Sequence, residues 1–352
     1  MTDSTLPILR PMTLGELLDR AFRLYRQNFL KFIGIFAIPY IPLALIQIGL
    51  SFFTTASLLG TTQSDPGQIL SSPGWIAAMG GSFIFIFIFL QFIFVQGVAT
   101  AALTRAVANN YTGKPVGILD SYRTLSSSWL KLILALVLVF ILVISLGVWT
   151  IIPCVGWFSG PGILFFIGLA VTPLIPPVIV LEKVDILSSL RRAWDLARSR
   201  FWWLIGAVFV LTLLGQLIVS GPVYLLSFFI GLLQSSIPSL EVQMAFTTIS
   251  QGLITIFVSL LFTPLKLTIM TVIYFDLRAR SEGLDLALQI STSTDSENDV
   301  ISLPEIADKT PMPLITWIDI GRFALLSLAG IAIYGIIILV VIGFVGLISS
   351  SF

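Results

Sequence analysis

Long apolar runs separated by short polar segments set the pattern of this chain: residues 32–53, 75–103, 132–152, 163–181, 201–232, 244–275 and 323–348. At about 1.5 Å of rise per residue, each run is long enough as a helix to cross roughly 30 Å of hydrocarbon. The stretch SFIFIFIFLQFIF at 82–94 alternates as a strand would. An unpaired strand leaves its backbone unsatisfied in lipid, so this run too is expected to be helical. The pattern predicts an all-α fold, a polytopic transmembrane helix bundle of seven spans.

The segments that lead into spans one, three and five have a different period. Leu14, Leu17, Leu18, Ala21, Phe22, Tyr25 and Phe29 recur at helical spacing, with Glu16, Asp19, Arg20, Arg23 and Arg26 off that stripe. Thr13 and Glu16 have the spacing of a capping box. Leu187, Leu190, Trp194, Ala197 and Phe201 make a second stripe, among Arg191, Arg192, Asp195, Arg198 and Arg200. A shift of 172 residues superposes LDRAFRLYRQNFLKFIG on LRRAWDLARSRFWWLIG, and a shift of 100 brings in SYRTLSSSWLKLI as a weaker copy. The chain is therefore expected to contain three repeated units, each a cytoplasmic amphipathic helix followed by a transmembrane hairpin, plus an additional seventh C-terminal span. The expected boundaries are 1–31 for the N-terminus and first amphipathic helix and 32–282 for the six-span domain, with amphipathic helices near 115–128 and 184–200. A polar linker is expected over 283–320 and the last span over 321–352.

Composition sharpens this class. Of 352 residues, 57% are hydrophobic and 11% charged, against about a quarter charged in soluble domains, which excludes an ordinary water-soluble enzyme. The net charge of +1 hides a segregation. Apart from Lys266, lysines and arginines lie before span one or between spans two and three, four and five, and six and seven, while the loops near Asp65, Cys154 and Glu241 hold none. The positive-inside rule then predicts a multi-pass protein of the inner membrane with its N-terminus cytoplasmic and its C-terminus outside. No signal peptide is visible, so the first span is expected to direct insertion. Histidine is absent and Cys154 is the only cysteine, which argues against His-ligated metals, Ser-His or Cys-His nucleophiles and disulfides. No enzyme activity, metal, cofactor or nucleic-acid partner is expected.

Candidate chemistry is sparse. Lys266 stands inside span six near Pro264, where it either faces a polar cavity or snorkels to the cytoplasmic interface. Arg20, Arg23, Arg26, Arg191, Arg192, Arg198 and Arg200 are candidate contacts for anionic headgroups. Asp276, Arg278, Arg280 and Glu282 form a candidate structural ion-pair cluster where span six ends.

Four stretches, LRPMTLGELLDRAFRLYRQNF at 9–29, YTGKPVGILDSYR at 111–123, LRRAWDLARSRFWWLIG at 190–206 and YFDLRARSEG at 274–283, carry a resemblance. Together they resemble the bacterial family named for the membrane domain of glycerophosphoryl diester phosphodiesterase, over about residues 9 to 290. The resemblance implies a membrane module alone. In the fused enzymes of that family hydrolysis belongs to a separate soluble barrel that uses carboxylates, histidines and a metal, and no such barrel is recognisable here. The expected function is a membrane-organising or accessory module that interacts with anionic lipid, a membrane-protein partner or a second copy. The alternative is a transporter or lipid-translocating channel with a polar path near Lys266.

Overall fold

The computed structural model describes residues 12–62, 83, 85–111, 117–123, 125, 128–182, 184–233, 239–282, 313 and 315–350, and every described element is helical. The expected linker over 283–320 lies largely outside the described residues. In chain order the helices are α1 (Leu14–Gln27), α2 (Phe29–Thr62), α3 (Phe85–Asn110), α4 (Ile118–Arg123) and α5 (Trp129–Trp149). They continue with α6 (Val155–Glu182), α7 (Ile186–Ser199), α8 (Phe201–Leu233), α9 (Leu240–Glu282) and α10 (Trp317–Ser350). Six of them, α2, α3, α5, α6, α8 and α9, are long and apolar enough to cross a membrane. The Phe-Ile stretch lies on the α3 helix from Phe85. The capping box forms: Thr13 N–H donates to Glu16 Oε2 at 2.8 Å, and the Glu16 N–H points back to the Thr13 hydroxyl at 3.4 Å.

Burial divides the spans into two shells. The apolar windows of α3, α6 and α9 are 50, 67 and 50% buried, whereas those of α2, α5 and α8 are 28, 22 and 28% buried. The three inner helices touch one another, and each outer helix lies against two of them: α2 on α3 and α9, α5 on α6 and α3, α8 on α9 and α6. Short helices follow the same cyclic order. Helix α1 packs on α9, α4 on α3, and α7 on α6.

Helix boundaries repeat at the spacing of the sequence similarity. Leu14–Gln27 and Ile186–Ser199 lie 172 residues apart at both ends, and α2, α5 and α8 begin at Phe29, Trp129 and Phe201, the same position under shifts of 100 and 172. Buried positions match as well. Leu17, Ala21, Leu24 and Tyr25 correspond to Ser189, Ala193, Leu196 and Ala197, and Phe32, Ile35 and Phe36 correspond to Leu132, Ala135 and Leu136 and to Leu204, Ala207 and Val208. The second set follows the i, i+3, i+4 rule for one helix face, although its side chains are too varied to align by identity. One expectation about α1 needs correction: Leu24 is in its buried face, while Leu14 and Phe22 are exposed. The apolar stripe is wider than the surface α9 can cover, and its outer edge remains uncovered.

Proline breaks are answered by neighbours. Pro39 has no N–H to give, so it releases the carbonyl four residues earlier, that of Ile35. The Tyr122 hydroxyl of α4 donates to that carbonyl at 2.5 Å. Burial raises the pKa of this phenol. Helix α6 absorbs Pro173, Pro176 and Pro177 by changing its winding, through a π turn at Ile167–Val171 and a tight turn at Thr172–Leu174. There the Thr172 hydroxyl donates to the Ile167 carbonyl at 2.7 Å. At the opposite end, Cys154 adopts φ 63° and the Val155 N–H donates to the Pro153 carbonyl at 2.8 Å, a strained γ-turn between α5 and α6.

Replacing Tyr122 with Phe leaves the Ile35 carbonyl unanswered inside the bundle, so thermal unfolding in detergent should show a loss of about 1–3 kcal/mol. Tyr224→Phe, at an exposed position, should leave the same transition in place.

Candidate functional site

One group of buried polar side chains lies where α6, α7 and α9 meet. Glu182 ends α6 with its side chain 2% exposed, and both of its oxygens are taken. Oε1 accepts the Tyr274 hydroxyl at 2.7 Å and faces the Arg278 Nε at 3.6 Å, while Oε2 accepts the Arg192 Nε at 3.0 Å. Arg278 also donates from Nη1 to the Tyr274 oxygen at 3.3 Å, and its guanidinium is fully buried. Tyr274 and Arg278 share a face because they are one helical turn apart on α9.

A second group fastens the start of α1. Asp276 accepts the Met12 N–H at 2.9 Å and the Arg280 Nε at 2.9 Å, and Arg280 donates onward to the Met12 carbonyl at 2.6 Å. Thirteen residues later the Tyr25 hydroxyl donates to the Leu261 carbonyl at 2.6 Å. Helix α1 therefore runs antiparallel along the last part of α9, from Asp276 back to Leu261. Burial pushes the Tyr25 phenol up to about 12.

A third group holds α10. Asp319, its side chain 2% exposed, faces Arg198 Nε at 3.3 Å and Arg322 Nη1 at 3.3 Å, and accepts the Thr316 N–H at 2.9 Å and its hydroxyl at 2.6 Å. Burial raises this carboxyl, but the two Thr316 hydrogen bonds and the two arginines outweigh it and hold the group below its ordinary value. One turn further, Phe323 enters a ring cluster with Phe166, Trp194 and Phe201 at centroid distances of 5.5, 5.8 and 5.8 Å. The Gly162 N–H donates to the Ser327 hydroxyl at 2.7 Å. A Cβ on Gly162 would come within 2.1 Å of the Phe323 carbonyl, so only glycine allows this approach.

The candidate ion-pair cluster is thus divided between two places. Asp276 and Arg280 form one pair along α9, whereas Arg278 turns to Glu182 on another helix; the Glu282 side chain lies outside the described residues. Among the candidate headgroup contacts, Arg192 and Arg198 turn inward to Glu182 and Asp319, and Arg20 reaches the Met12 sulfur at 3.6 Å. Arg200 lies 4.8 Å from the Trp203 ring centre, while Arg23, Arg26 and Arg191 are exposed. Lys266 is half-buried two residues beyond buried Pro264, within the stretch of α9 that α1 flanks, and it has no ion pair with a described carboxylate. Glu182, Tyr274 and Asp319 were not singled out in the sequence. Glu182 had a signal, as the one carboxylate closing the run VIVLE. The described residues contain no group of three His, Cys, Asp or Glu that could hold a metal ion.

Removing one member of a buried ion group leaves the other charge uncompensated, at a cost of about 3–5 kcal/mol. Glu182→Gln should therefore lower the unfolding temperature sharply, whereas Asp185→Asn, which breaks the exposed Lys131–Asp185 pair, should cost about 0–1 kcal/mol. Because the Asp319 carboxyl is held below its ordinary value, its contribution is complete above pH ~4 and disappears as pH falls through the lowered value. Limited proteolysis between α9 and α10 should be unchanged from neutral to mildly acidic pH and accelerate in stronger acid. Asp319→Asn should show the faster cleavage already at neutral pH.

No family model, curated protein or solved structure matches the chain.

Proposed function

We propose that this multi-pass membrane protein is a non-enzymatic, membrane-organising or accessory module that interacts with anionic lipid or a membrane partner. The carrying observation is that its buried carboxylates are spent on its own helices. Glu182, Asp276 and Asp319 each bind groups from at least one other element, with no carboxylate among them left facing an open site. Fully engaged carboxylates fix helices against each other and are poor general acids or bases, since proton transfer needs a reachable partner on the substrate.

Three repeats arranged around the inner helices α3, α6 and α9 are part of this reading, supported by the matching boundaries and buried positions. So is α10 as a seventh span: it is 34 residues long and, at about 1.5 Å per residue, exceeds the thickness of a bilayer core. With the basic ends cytoplasmic, the N-terminus is inside and the end of α10 outside a bacterial inner membrane. The sequence resemblance to the membrane domain of the glycerophosphoryl diester phosphodiesterase family fits a module of this kind and carries no catalytic residue with it. The transport reading draws on one observation, that Lys266 is half-buried and has no ion pair with a described carboxylate. Its place beside α1 favours instead a side chain that reaches the basic interface.

Extraction of the full chain in native-lipid particles, followed by lipid and protein mass spectrometry, tests the proposal. Anionic phospholipid enriched over the surrounding membrane, or a membrane protein recovered in fixed ratio, is the expected result. Recovery of neither overturns it, as does solute or lipid flux in reconstituted vesicles that Lys266→Met abolishes.

A further inference from the structure

We infer that the anionic-lipid contact of this protein is concentrated at one corner, the junction of α1 and α2, with Arg23, Arg26 and Lys31 as the headgroup-binding residues. This rests on the lipid reading above and narrows it to a place. All three cations are exposed, and none has an ion pair to a described carboxylate. Among them stand apolar side chains that the protein leaves uncovered: Phe22 is 51% exposed and Leu30 79%. The other face of α1, with Leu17, Ala21, Leu24 and Tyr25, is occupied by α9, so α1 cannot turn this edge inward.

The corner also lies at the right level. Arg23 and Arg26 belong to the last turns of α1, and Lys31 is the third residue of the first apolar span. Apolar side chains entering the acyl boundary with cations at phosphate height are what an anionic bilayer surface accommodates. The nearby acids take little from this. Glu16 is bound in the capping box, and Asp19, one turn before Arg23, leaves the corner with an excess of positive charge.

The equivalent corner 172 residues on is partly covered, although Trp202, the counterpart of Leu30, is 51% exposed. There Arg198 is bound to Asp319, Arg200 lies over Trp203, and Phe201 is 3% exposed beneath Phe323, whereas its counterpart Phe29 is 38% exposed. Helix α10 thus takes up Arg198 and covers Phe201 there, whereas at the first corner Arg26 and Phe29 are left to the membrane.

The test uses the full-length protein in phosphatidylcholine nanodiscs and measures the association of spin-labelled phosphatidylglycerol relative to spin-labelled phosphatidylcholine. The wild type should prefer the anionic lipid. R23Q/R26Q/K31Q should lose about fivefold or more of that preference while keeping its cooperative unfolding, as expected for charges beside an anionic surface, and R23K/R26K should retain it. A glutamine variant that keeps the wild-type preference overturns the assignment of the corner alone. Equal loss in the lysine variant does the same, by showing that charge is not what the lipid reads. A wild type without preference removes the broader lipid reading together with it.

Discussion

A carboxylate taken out of water has to be answered where it stands, and Glu182 is answered from two other helices at once. The cost of an uncompensated buried charge, about 3–5 kcal/mol, matches that of emptying a large apolar site in a core. An arrangement that separates Glu182 from Arg278 or Arg192 is therefore strongly disfavoured. That one requirement ties the end of inner helix α6 to inner helix α9 and to α7. Asp276 and Arg280 apply the same logic to backbone: by holding both the N–H and the carbonyl of Met12, they set where α1 begins and hence how it lies along α9. Such pairs add little net stability compared with apolar packing, but they discriminate between alternative registers, which interchangeable leucines and phenylalanines do poorly.

Apolar burial cannot supply that discrimination in a bilayer, because lipid tails are as apolar as the side chains they replace. The outer helices α2, α5 and α8 show the consequence, with most of their apolar surface left uncovered by protein. What holds an outer helix is close approach and local hydrogen bonding. Gly97 gives Leu136 of α5 a place on α3 that a Cβ would fill, at 2.1 Å. Gln91 of α3 donates to Gln47 of α2 at 2.9 Å. Pro39 belongs to the same set, since the carbonyl it frees becomes the anchor for Tyr122 and so for α4. A residue that weakens its own helix thereby ties that helix to another.

Period and composition were enough to place six apolar helices long enough to cross a membrane and the first capping box, because both depend on residues close together in the chain. The 172-residue similarity likewise extended into matching helix ends, since the amphipathic segments carry strong local identity. The burial pattern Phe32, Ile35, Phe36 against Leu204, Ala207, Val208 was hidden for the opposite reason: in an all-apolar helix any face can be the inner one, and a hydrophobic stripe gives no direction. Charges misled in a different way. Spacing along α9 grouped Asp276, Arg278, Arg280 and Glu282, but side chains two residues apart on a helix point away from each other, so Asp276 and Arg278 serve different neighbours. Asp319 had only local signals, Thr316 three residues before it and Arg322 three residues after, and its distant partner Arg198 is brought to it by the fold.

Helix α10 sets one of the outer-helix starts apart from the other two. The three starts of the outer helices, Phe29, Trp129 and Phe201, occupy equivalent positions, yet only Phe201 is covered. Covering it requires α10 to approach α6 until the Phe323 backbone is in contact with Gly162. Once α10 is seated on α6, Asp319 draws Arg198 away from the surface, and the third amphipathic helix gives up both an apolar edge and a cation that the first one keeps. Two helices with matching buried positions thus acquire different surroundings: α7 has Arg198 and the adjoining Phe201 drawn beneath α10, and α1 is left with its basic, apolar edge toward whatever surrounds the bundle.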